Sequence, residues 1–232
     1  MPVKTRLNGL VHLSAKIMEI SPAAAEPPQS AKRQQVLEAA GVLFIAQGYG
    51  KVSMEAVAKQ AGVSKATLYA HFPSKDVLFA TIVGDACARN ALGDNSFPEH
   101  VVDISAALRQ IGNRLLSFLM LDRTMAIYRV TVAESARFPE LGEAFLAAGP
   151  LVFVNRMAGW LERQSRAGHL TVADTNVAAE QFLALLRTTS FLRATLGLPT
   201  SNRPEDSVLA IVEAAVTIFL RGYRAAQEDQ IR

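Results

Sequence analysis

The sequence predicts an all-α protein, and three observations support that prediction. Apolar residues recur three to four positions apart through most of the chain, which is the spacing of one helix face. Prolines, glycines and short polar residues interrupt these segments where helices are expected to begin and end. No segment alternates apolar and polar residues as a half-buried strand does. With 232 residues, the chain is long enough for a small N-terminal helical domain and a larger helical domain behind it.

The first helix is predicted over residues 31–47, followed by Gly48 as the glycine that ends it. Its apolar stripe consists of Val36, Leu37, Ala40, Leu43 and Phe44. A fourth helix is predicted from a Ser74 cap to about Asn90, with Val77, Leu78, Ile82 and Val83 facing inward.

Residues 53–72 describe two short helices joined by a tight turn. Ser53 and Ser64 are predicted N-caps, which place the helices at about 53–60 and 64–70. Gly62 falls where the turn requires a positive φ that a Cβ would penalise. This arrangement is typical of a helix-turn-helix, whose second helix enters the major groove of DNA.

Everything beyond residue 91 is also predicted to be helical. Proline is favoured at the first position of a helix, so Pro98, Pro139 and Pro150 are each expected to open one. The predicted helices are 98–120, about 123–136 with Asp122 as its cap, 139 to just before Gly149, 150 to about 166, 174–196, and 204–228.

Residues 32–80 resemble the DNA-binding domain of the tetracycline-repressor (TetR) family. The matching pieces are Gly48-Tyr49, Ser53-Met54, Ala61-Gly62-Val63-Ser64, Thr67-Leu68-Tyr69, His71-Phe72 and Ser74-Lys75. Residues of about 120–225 resemble the AefR-like branch of the same family. The pieces there are Tyr128-Arg129-Val130, Ala133-Glu134, Arg137-Phe138-Pro139-Glu140-Leu141, Ala148-Gly149-Pro150, Ala179-Glu180-Gln181-Phe182 and Leu196-Gly197-Leu198-Pro199.

The resemblance implies a DNA-binding transcriptional regulator, expected to be a ligand-released dimeric repressor that binds a palindromic operator. The alternative is a helical small-molecule-binding or protein-interaction module with a non-functional helix-turn-helix. The expected organisation is a tail and linker over 1–29, a DNA-binding domain over 30–75, helix 74–90 as the connection, and a ligand-binding and dimerisation domain over 91–232.

The DNA-contacting residues are expected on and beside the second helix of the motif. Lys65 suits either a guanine edge or a phosphate, and the Ala66 methyl suits a thymine methyl. The resemblance implies phosphate bonds from Thr67 and Tyr69, although Tyr69 would also suit packing against the first helix. The full predicted set is Lys51, Ser53, Ser64, Lys65, Ala66, Thr67, Tyr69, His71 and Lys75, with Ser53 and Lys75 placed at helix N-termini that attract phosphate. His71 equally suits a structural histidine.

An effector pocket is expected among bulky residues of the second domain. The candidates are Phe118, Met125, Tyr128, Glu134, Phe145, Phe153, Met157, Trp160, Arg187 and Phe191. The same residues would also suit a plain core. If they line a cavity, the effector is a small lipophilic molecule, aromatic or acyl in part. Glu134 would favour a cation or a donor and Arg187 an anion, and the sequence does not choose.

The last two helices are the expected dimer surface, because two helices from each subunit form a four-helix seam. The predicted interface residues are Phe182, Leu185, Thr189, Leu192, Val208, Ile211, Ala215, Ile218 and Phe219, with Leu186, Leu196, Val212 and Tyr223 on the same stripes. An internal core is the alternative for both stripes.

Charge is distributed unevenly along the chain. All seven lysines lie in the first 75 residues, so the basic excess coincides with the helix-turn-helix. The basic and apolar residues of 1–29 are compatible with a mobile tail or a later start at Met18, with a basic arm on DNA, or with a transit peptide. Cys87 is the single cysteine of the sequence, so no internal disulfide can form. A reducing compartment, the cytoplasm, is therefore expected. Cys87 is expected to be a packing residue rather than a thiol sensor.

Other classes of protein find no support in the sequence. There is no Gly-rich phosphate loop, paired-histidine helix or nucleophile elbow, so we expect no enzyme and no cofactor. The four histidines are scattered, with no metal-ligand spacing. No apolar run reaches the ~20 residues of a membrane span, so no membrane partner is expected.

Overall fold

A computed structural model describes residues 28–93, 96–199 and 203–225, with side chains described from residue 31. Most of the predicted tail, together with the arm, late-start and transit-peptide interpretations, lies outside these residues. The described helices are α1 (Pro28–Gln47), α2 (Met54–Gln60), α3 (Lys65–His71), α4 (Lys75–Asn90), α5 (Ile104–Leu119), α6 (Asp122–Glu134), α7 (Pro139–Ala148), α8 (Pro150–Arg166), α9 (Thr175–Leu186), α10 (Thr189–Thr195) and α11 (Val208–Tyr223), with a 3₁₀ turn at Pro204–Asp206.

The helix-turn-helix forms as its caps predict. The hydroxyl oxygens of Ser53 and Ser64 accept hydrogen bonds from backbone N–H groups three residues later, at 3.1 and 3.0 Å. Gly62 has φ +65°, in the left-handed region that glycine tolerates best. Leu68 of α3 is fully buried, so the recognition helix is fixed to the three-helix core by its inner face.

Two predicted helix starts are wrong. Pro98 opens no helix, because α5 begins at Ile104, where the Asp103 carboxylate accepts the Ser105 N–H at 2.8 Å. The Pro98 carbonyl instead accepts the indole N–H of Trp160 at 2.8 Å. Asp122 is not a cap but the first residue of α6, where its charge favours the positive end of the helix dipole.

The last two predicted helices are shorter than expected. The predicted 174–196 helix is broken at Arg187, whose φ −90° and ψ 67° are not helical, so α9 and α10 are separate. The predicted 204–228 helix begins at Val208 behind a Ser207 cap and ends at Tyr223. There the chain leaves the helix, and the Tyr223 carbonyl accepts the Thr171 N–H at 2.8 Å.

The second domain is built from three packed helix pairs, α8 with α9, α4 with α7, and α5 with α11. Since α4 also packs on α1, it belongs to both domains. The run Pro139–Arg166 has the length and hydropathy of a membrane span, but it consists of two helices that meet at Gly149. Both helices pack against neighbours in the second domain, as core helices do.

Candidate functional site

The surface of α3 is open to a double helix. Lys65, Ala66 and Tyr69 are exposed, and Thr67 is half-buried beside the Ser64 cap. Tyr69 is 44% exposed, so it does not pack fully against α1. These residues, with exposed Lys51, Ser53 and Ser64 and half-buried His71, remain the predicted DNA-contacting set.

Lys65 is paired within the motif. Its ammonium lies 3.3 Å from the Glu55 carboxylate of α2, and both side chains are largely exposed. The pKa of Glu55 is lowered, first by hydrogen bonding to its own backbone N–H and then by Lys65. A pair this exposed is weak, so Lys65 can exchange Glu55 for a phosphate or a base.

Lys75, which is predicted to contact a phosphate, forms hydrogen bonds within the protein. Its ammonium donates to the carbonyl oxygens of Tyr49 at 2.9 Å and Val52 at 3.1 Å. It also lies 4.2 Å from the centre of the Tyr49 ring and 5.7 Å from that of Phe138. Burial lowers the pKa of Lys75, while Glu134 and Glu140 oppose that effect. Lys75 therefore ties the start of α4 to the loop between α1 and α2.

Glu134 holds the same loop from the second domain. Its two carboxylate oxygens accept the backbone N–H groups of Tyr49 and Gly50, each at 2.7 Å. A Cβ built on Gly48 would lie 2.2 Å from the carboxylate, and Gly48 has φ +81°, so this loop requires glycine twice over. We name this contact, formed by Glu134, Lys75, Phe138 and the loop 48–52, the interdomain junction.

A cavity of about 230 Å³ is lined by residues of α1, α4 and several helices of the second domain. Seven of the ten predicted pocket residues line it: Phe118, Met125, Tyr128, Phe145, Phe153, Arg187 and Phe191. Tyr128 sits at the centre of an aromatic wall, 5.8 Å from Phe145 and 5.5 Å from Phe191 between ring centres.

Three predicted pocket residues do not line the cavity. Glu134 is engaged at the interdomain junction, so its preference for a cation does not apply. Met157 and Trp160 are fully buried, which agrees with the alternative interpretation of these residues as plain core.

The cavity includes residues that sequence reasoning missed. Gln34, Leu37 and Glu38 of α1 form part of its wall, together with Arg89 of α4 and Arg123 of α6. The Arg123 guanidinium donates to the Glu38 carboxylate at 2.6 Å, a contact between residues 85 apart in the chain. No local pattern marks such a pair, because each residue alone reads as an exposed charge on a helix.

Cys87 lines the same cavity but has no activated thiol. Burial raises the pKa of its thiol to about 11. This supports packing rather than sensing, since the thiolate is the reactive form.

The predicted dimer stripes divide between core and surface. Phe182, Ile211, Ala215 and Phe219 are buried inside the subunit, so they are not available to a partner. Leu185 and Val208 are half-buried, whereas Thr189, Leu192 and Ile218 are exposed. The outward face of α11 contains Leu209, Glu213, Ala214, Thr217, Ile218 and Arg221, and that of α9 contains Asn176, Val177, Glu180, Gln181 and Ala184.

Among the described residues, no group of three His, Cys, Asp or Glu side chains is placed to hold a metal ion.

Two family descriptions match the chain. Residues 36–82 match the bacterial regulatory proteins of the tetR family, and residues 106–225 match the C-terminal domain of AefR-like transcriptional repressors.

Individual proteins are also similar. The solved structure of the flavonoid-responsive regulator FrrA is 37% identical, covers 85% of this chain and all of that chain, and has a TM-score of 0.71. A TetR-family regulator from Mesorhizobium loti MAFF303099 is 26% identical, covers 86% of this chain and all of that chain, and has a TM-score of 0.73. The HTH-type transcriptional activator FasR of Mycolicibacterium smegmatis is 41% identical over 56 residues, which span 24% of this chain and only 26% of FasR.

Proposed function

This chain belongs to the TetR family of bacterial transcriptional regulators, with an AefR-like C-terminal domain, and we propose that it acts as an effector-released, dimeric repressor. In this proposal the exposed face of α3 binds a near-palindromic operator in the cytoplasm. Residues 30–75 form the DNA-binding domain, α4 connects, and residues 91–232 bind the effector and the second subunit.

One observation carries the proposal: helix α1 belongs both to the DNA-binding domain and to the wall of the cavity. We call α1, α2 and α3 the DNA-reading head. Gln34, Leu37 and Glu38 of α1 line the cavity, and α1 forms the core of the head with α2 and α3. A molecule that fills the cavity therefore touches a helix of the head directly. It shifts the head only if it binds the DNA-incompetent arrangement more tightly, by ~1–3 kcal/mol in typical cases.

The proposed effector is a small, flat, aromatic molecule. Phe118, Tyr128, Phe145, Phe153 and Phe191 present rings to the cavity, and offset or edge-on ring contacts suit a planar ligand. FrrA, which is 37% identical, is described as flavonoid-responsive. A volume of about 230 Å³ lies just below the usual range for drug-sized ligands, so a compound of about flavonoid size or smaller fits.

The test measures DNA binding by fluorescence anisotropy with fragments from upstream of the protein's own gene. We expect salt-dependent binding of a fragment with two half-sites about 34–36 Å apart, and its release by flavonoid aglycones. The matched control is Tyr69→Phe with Ala66→Asp, which keeps the fold but places a negative charge against the groove. Failure of the natural chain to bind any fragment above its affinity for random DNA would overturn the regulatory function.

Repression rather than activation is tested by the operator's position and a promoter reporter. A repressor lowers transcription by covering the promoter, and deletion of its gene raises reporter output. FasR is described as an activator, and lower reporter output after deletion would place this chain with it.

A further inference from the structure

The charged groups of the cavity wall are not balanced. Arg89, Arg123 and Arg187 line the cavity, against the carboxylates of Glu38 and Asp85. Asp85 is held from outside the cavity by Arg33, at 3.0 Å. With Asp85 neutralised by Arg33, the cavity wall has three guanidinium groups and one carboxylate, that of Glu38.

The carboxylate that remains, Glu38, is held by an exchangeable contact. The Arg123–Glu38 pair joins α6 to α1, and its side chains are 50% and 54% exposed. The pKa of Glu38 is lowered, first by the hydrogen bond from Arg123, with attraction from Arg123 and Arg89 adding to it. Arg89 lines the same cavity as Arg123 and Glu38. Exposed pairs of this kind are weakly held, so another anion can replace Glu38.

The rest of the cavity is apolar and aromatic, so an anion that enters it must have an apolar body. We propose that the effector is an aromatic anion, whose flat body fills the cavity and whose acidic group binds Arg123 and Arg89 in place of Glu38. This inference rests on the proposed function, since it names the chemistry of that effector. A guanidinium pairs with a carboxylate or sulfonate through two parallel hydrogen bonds.

Replacing Glu38 changes how α6 is attached to the DNA-reading head. α6 contacts the head at two ends, through Arg123 near its start and through Glu134 at its end. When the Arg123–Glu38 contact is lost, the half-buried Glu134 contact still joins α6 to the DNA-reading head. The anionic group thereby weakens the attachment of α1 to α6 at this end more than an uncharged ligand of the same shape does.

A matched pair of dyes tests the proposal on the whole protein without DNA. 1-Anilinonaphthalene-8-sulfonate and N-phenyl-1-naphthylamine have the same aromatic body, and only the first has a sulfonate. We expect the sulfonate dye to bind at least ~10-fold more tightly, since a charged group and its partner commonly contribute that much. Equal binding of the two dyes, or no binding of the sulfonate dye, would overturn the proposal.

Substitutions of cavity residues, with one control outside the cavity, assign the anion to its residues. Arg123→Gln is expected to weaken binding of the sulfonate dye at least ~10-fold and to change the affinity for the neutral dye less than ~2-fold. Glu38→Gln removes the carboxylate that competes with the dye for Arg123, so it is expected to tighten binding of the sulfonate dye about 3–10-fold. Arg166→Gln, which breaks the exposed Arg166–Glu162 pair outside the cavity, is the control and leaves both dyes unchanged. A loss seen with Arg187→Gln but not with Arg123→Gln would contradict the assignment.

A plugged cavity distinguishes this site from other dye sites. Ala86 lines the cavity, and Ala86→Phe is expected to remove both dyes while the circular dichroism spectrum stays helical. Sulfonate binding that persists in this variant and still depends on Arg123 would place the anion outside the cavity and overturn the proposal. These readouts are independent of DNA, so they stand apart from failure of the regulatory function.

Discussion

Two oppositely charged residues hold one short loop from two directions. Glu134 accepts the N–H groups of Tyr49 and Gly50, while Lys75 donates to the carbonyl oxygens of Tyr49 and Val52. The loop's own polar groups are thereby satisfied without regular structure. Because Glu134 comes from the second domain, its carboxylate helps to fix the orientation of the DNA-binding domain.

Glu134→Gln is expected to lower the free energy of unfolding by about 2 kcal/mol. The two N–H groups bond different carboxylate oxygens, and glutamine replaces one of these oxygens with an NH₂ donor, so one charge-assisted hydrogen bond is lost. Chemical denaturation measures the change. Glu143→Gln, an exposed carboxylate on α7, is the control and stays within about 0.5 kcal/mol of the natural protein. Equal stability of the two variants would show that the junction contributes nothing.

Lys65 at the start of α3 and Lys75 at the start of α4 are expected to differ in their effect on the salt dependence of DNA binding. Lys65→Met should flatten the slope of log K against log salt by about 0.9, provided Lys65 contacts a phosphate. Lys75→Met should leave that slope unchanged and lower stability by about 1–3 kcal/mol, since its ammonium is bonded within the protein. DNA titrations from low to high salt and denaturant melts separate the two effects. A flatter slope for Lys75→Met would restore it to the DNA-contacting set.

Cys87 is expected to be nearly inert to thiol reagents in the folded protein. With a pKa of about 11, about one thiol in a thousand is ionised at pH 8. Dithionitrobenzoate should react on the order of a hundredfold more slowly than with the denatured chain. A flat aromatic ligand in the cavity should slow it further, because Cys87 lines that cavity. Fast labelling of the native state would revive the thiol-sensor interpretation.

At the scale of elements, the close crossing of α5 and α11 sets the frame of the second domain. A Cβ on Gly112 of α5 would meet Val212 of α11 at 2.9 Å and Phe182 of α9 at 3.4 Å. The missing side chain lets three helices meet around the Phe182–Phe219 ring contact, with centres 5.2 Å apart. The aromatic residues predicted for the dimer surface are used here instead.

Gly112→Ala is expected to destabilise the protein by about 1–2 kcal/mol. Alanine favours a helix by about 1 kcal/mol over glycine, but overpacking at the crossing outweighs that gain. Gly159→Ala on α8 is the matched control, because its Cβ would meet only the end of the Arg163 side chain at 3.8 Å. We expect the control to be stabilised by about 0.5–1 kcal/mol in thermal or urea melts. The opposite order would mean that α5 and α11 can move apart freely.

At the scale of the whole molecule, the exposed faces of α9 and α11 are the surface that suits a second subunit. Leu209 is 72% exposed and Ile218 is 55% exposed, on a helix whose opposite side is buried. Apolar exposure of this kind on two neighbouring helices is typical of an interface. A two-fold partner would present a second recognition helix to the same operator.

Ile218→Asp is expected to give a folded monomer. Burying an unpaired charge in an interface is strongly unfavourable, whereas the subunit core on the other side of α11 is untouched. Light scattering should show half the natural mass, and operator affinity should fall at least ~100-fold while the helical spectrum is retained. Leu146→Asp on α7, also exposed, is the control and should stay dimeric. A dimer that survives Ile218→Asp would move the interface elsewhere.

The sequence by itself determined the elements whose causes are local. The Ser53, Ser64 and Ser74 caps, the positive-φ turn at Gly62 and the prolines of α7 and α8 act within a few residues, so each start was predictable. The resemblance to the TetR family rests on the same local residues, and the family match confirms it. Capping and turn preferences are strong enough to be read without the rest of the fold.

Only the tertiary structure decided what each side chain contacts. The sequence cannot show that Glu134 bonds a loop 84 residues away, or that Arg123 bonds Glu38 in the cavity wall. The break at Arg187 and the inward turn of Phe182 and Phe219 likewise depend on packing between distant helices. An apolar stripe at helical spacing shows that one face of a helix is apolar. That face can be buried equally well in the subunit's own core or against a partner subunit. The choice is made by which surfaces meet when the chain is folded.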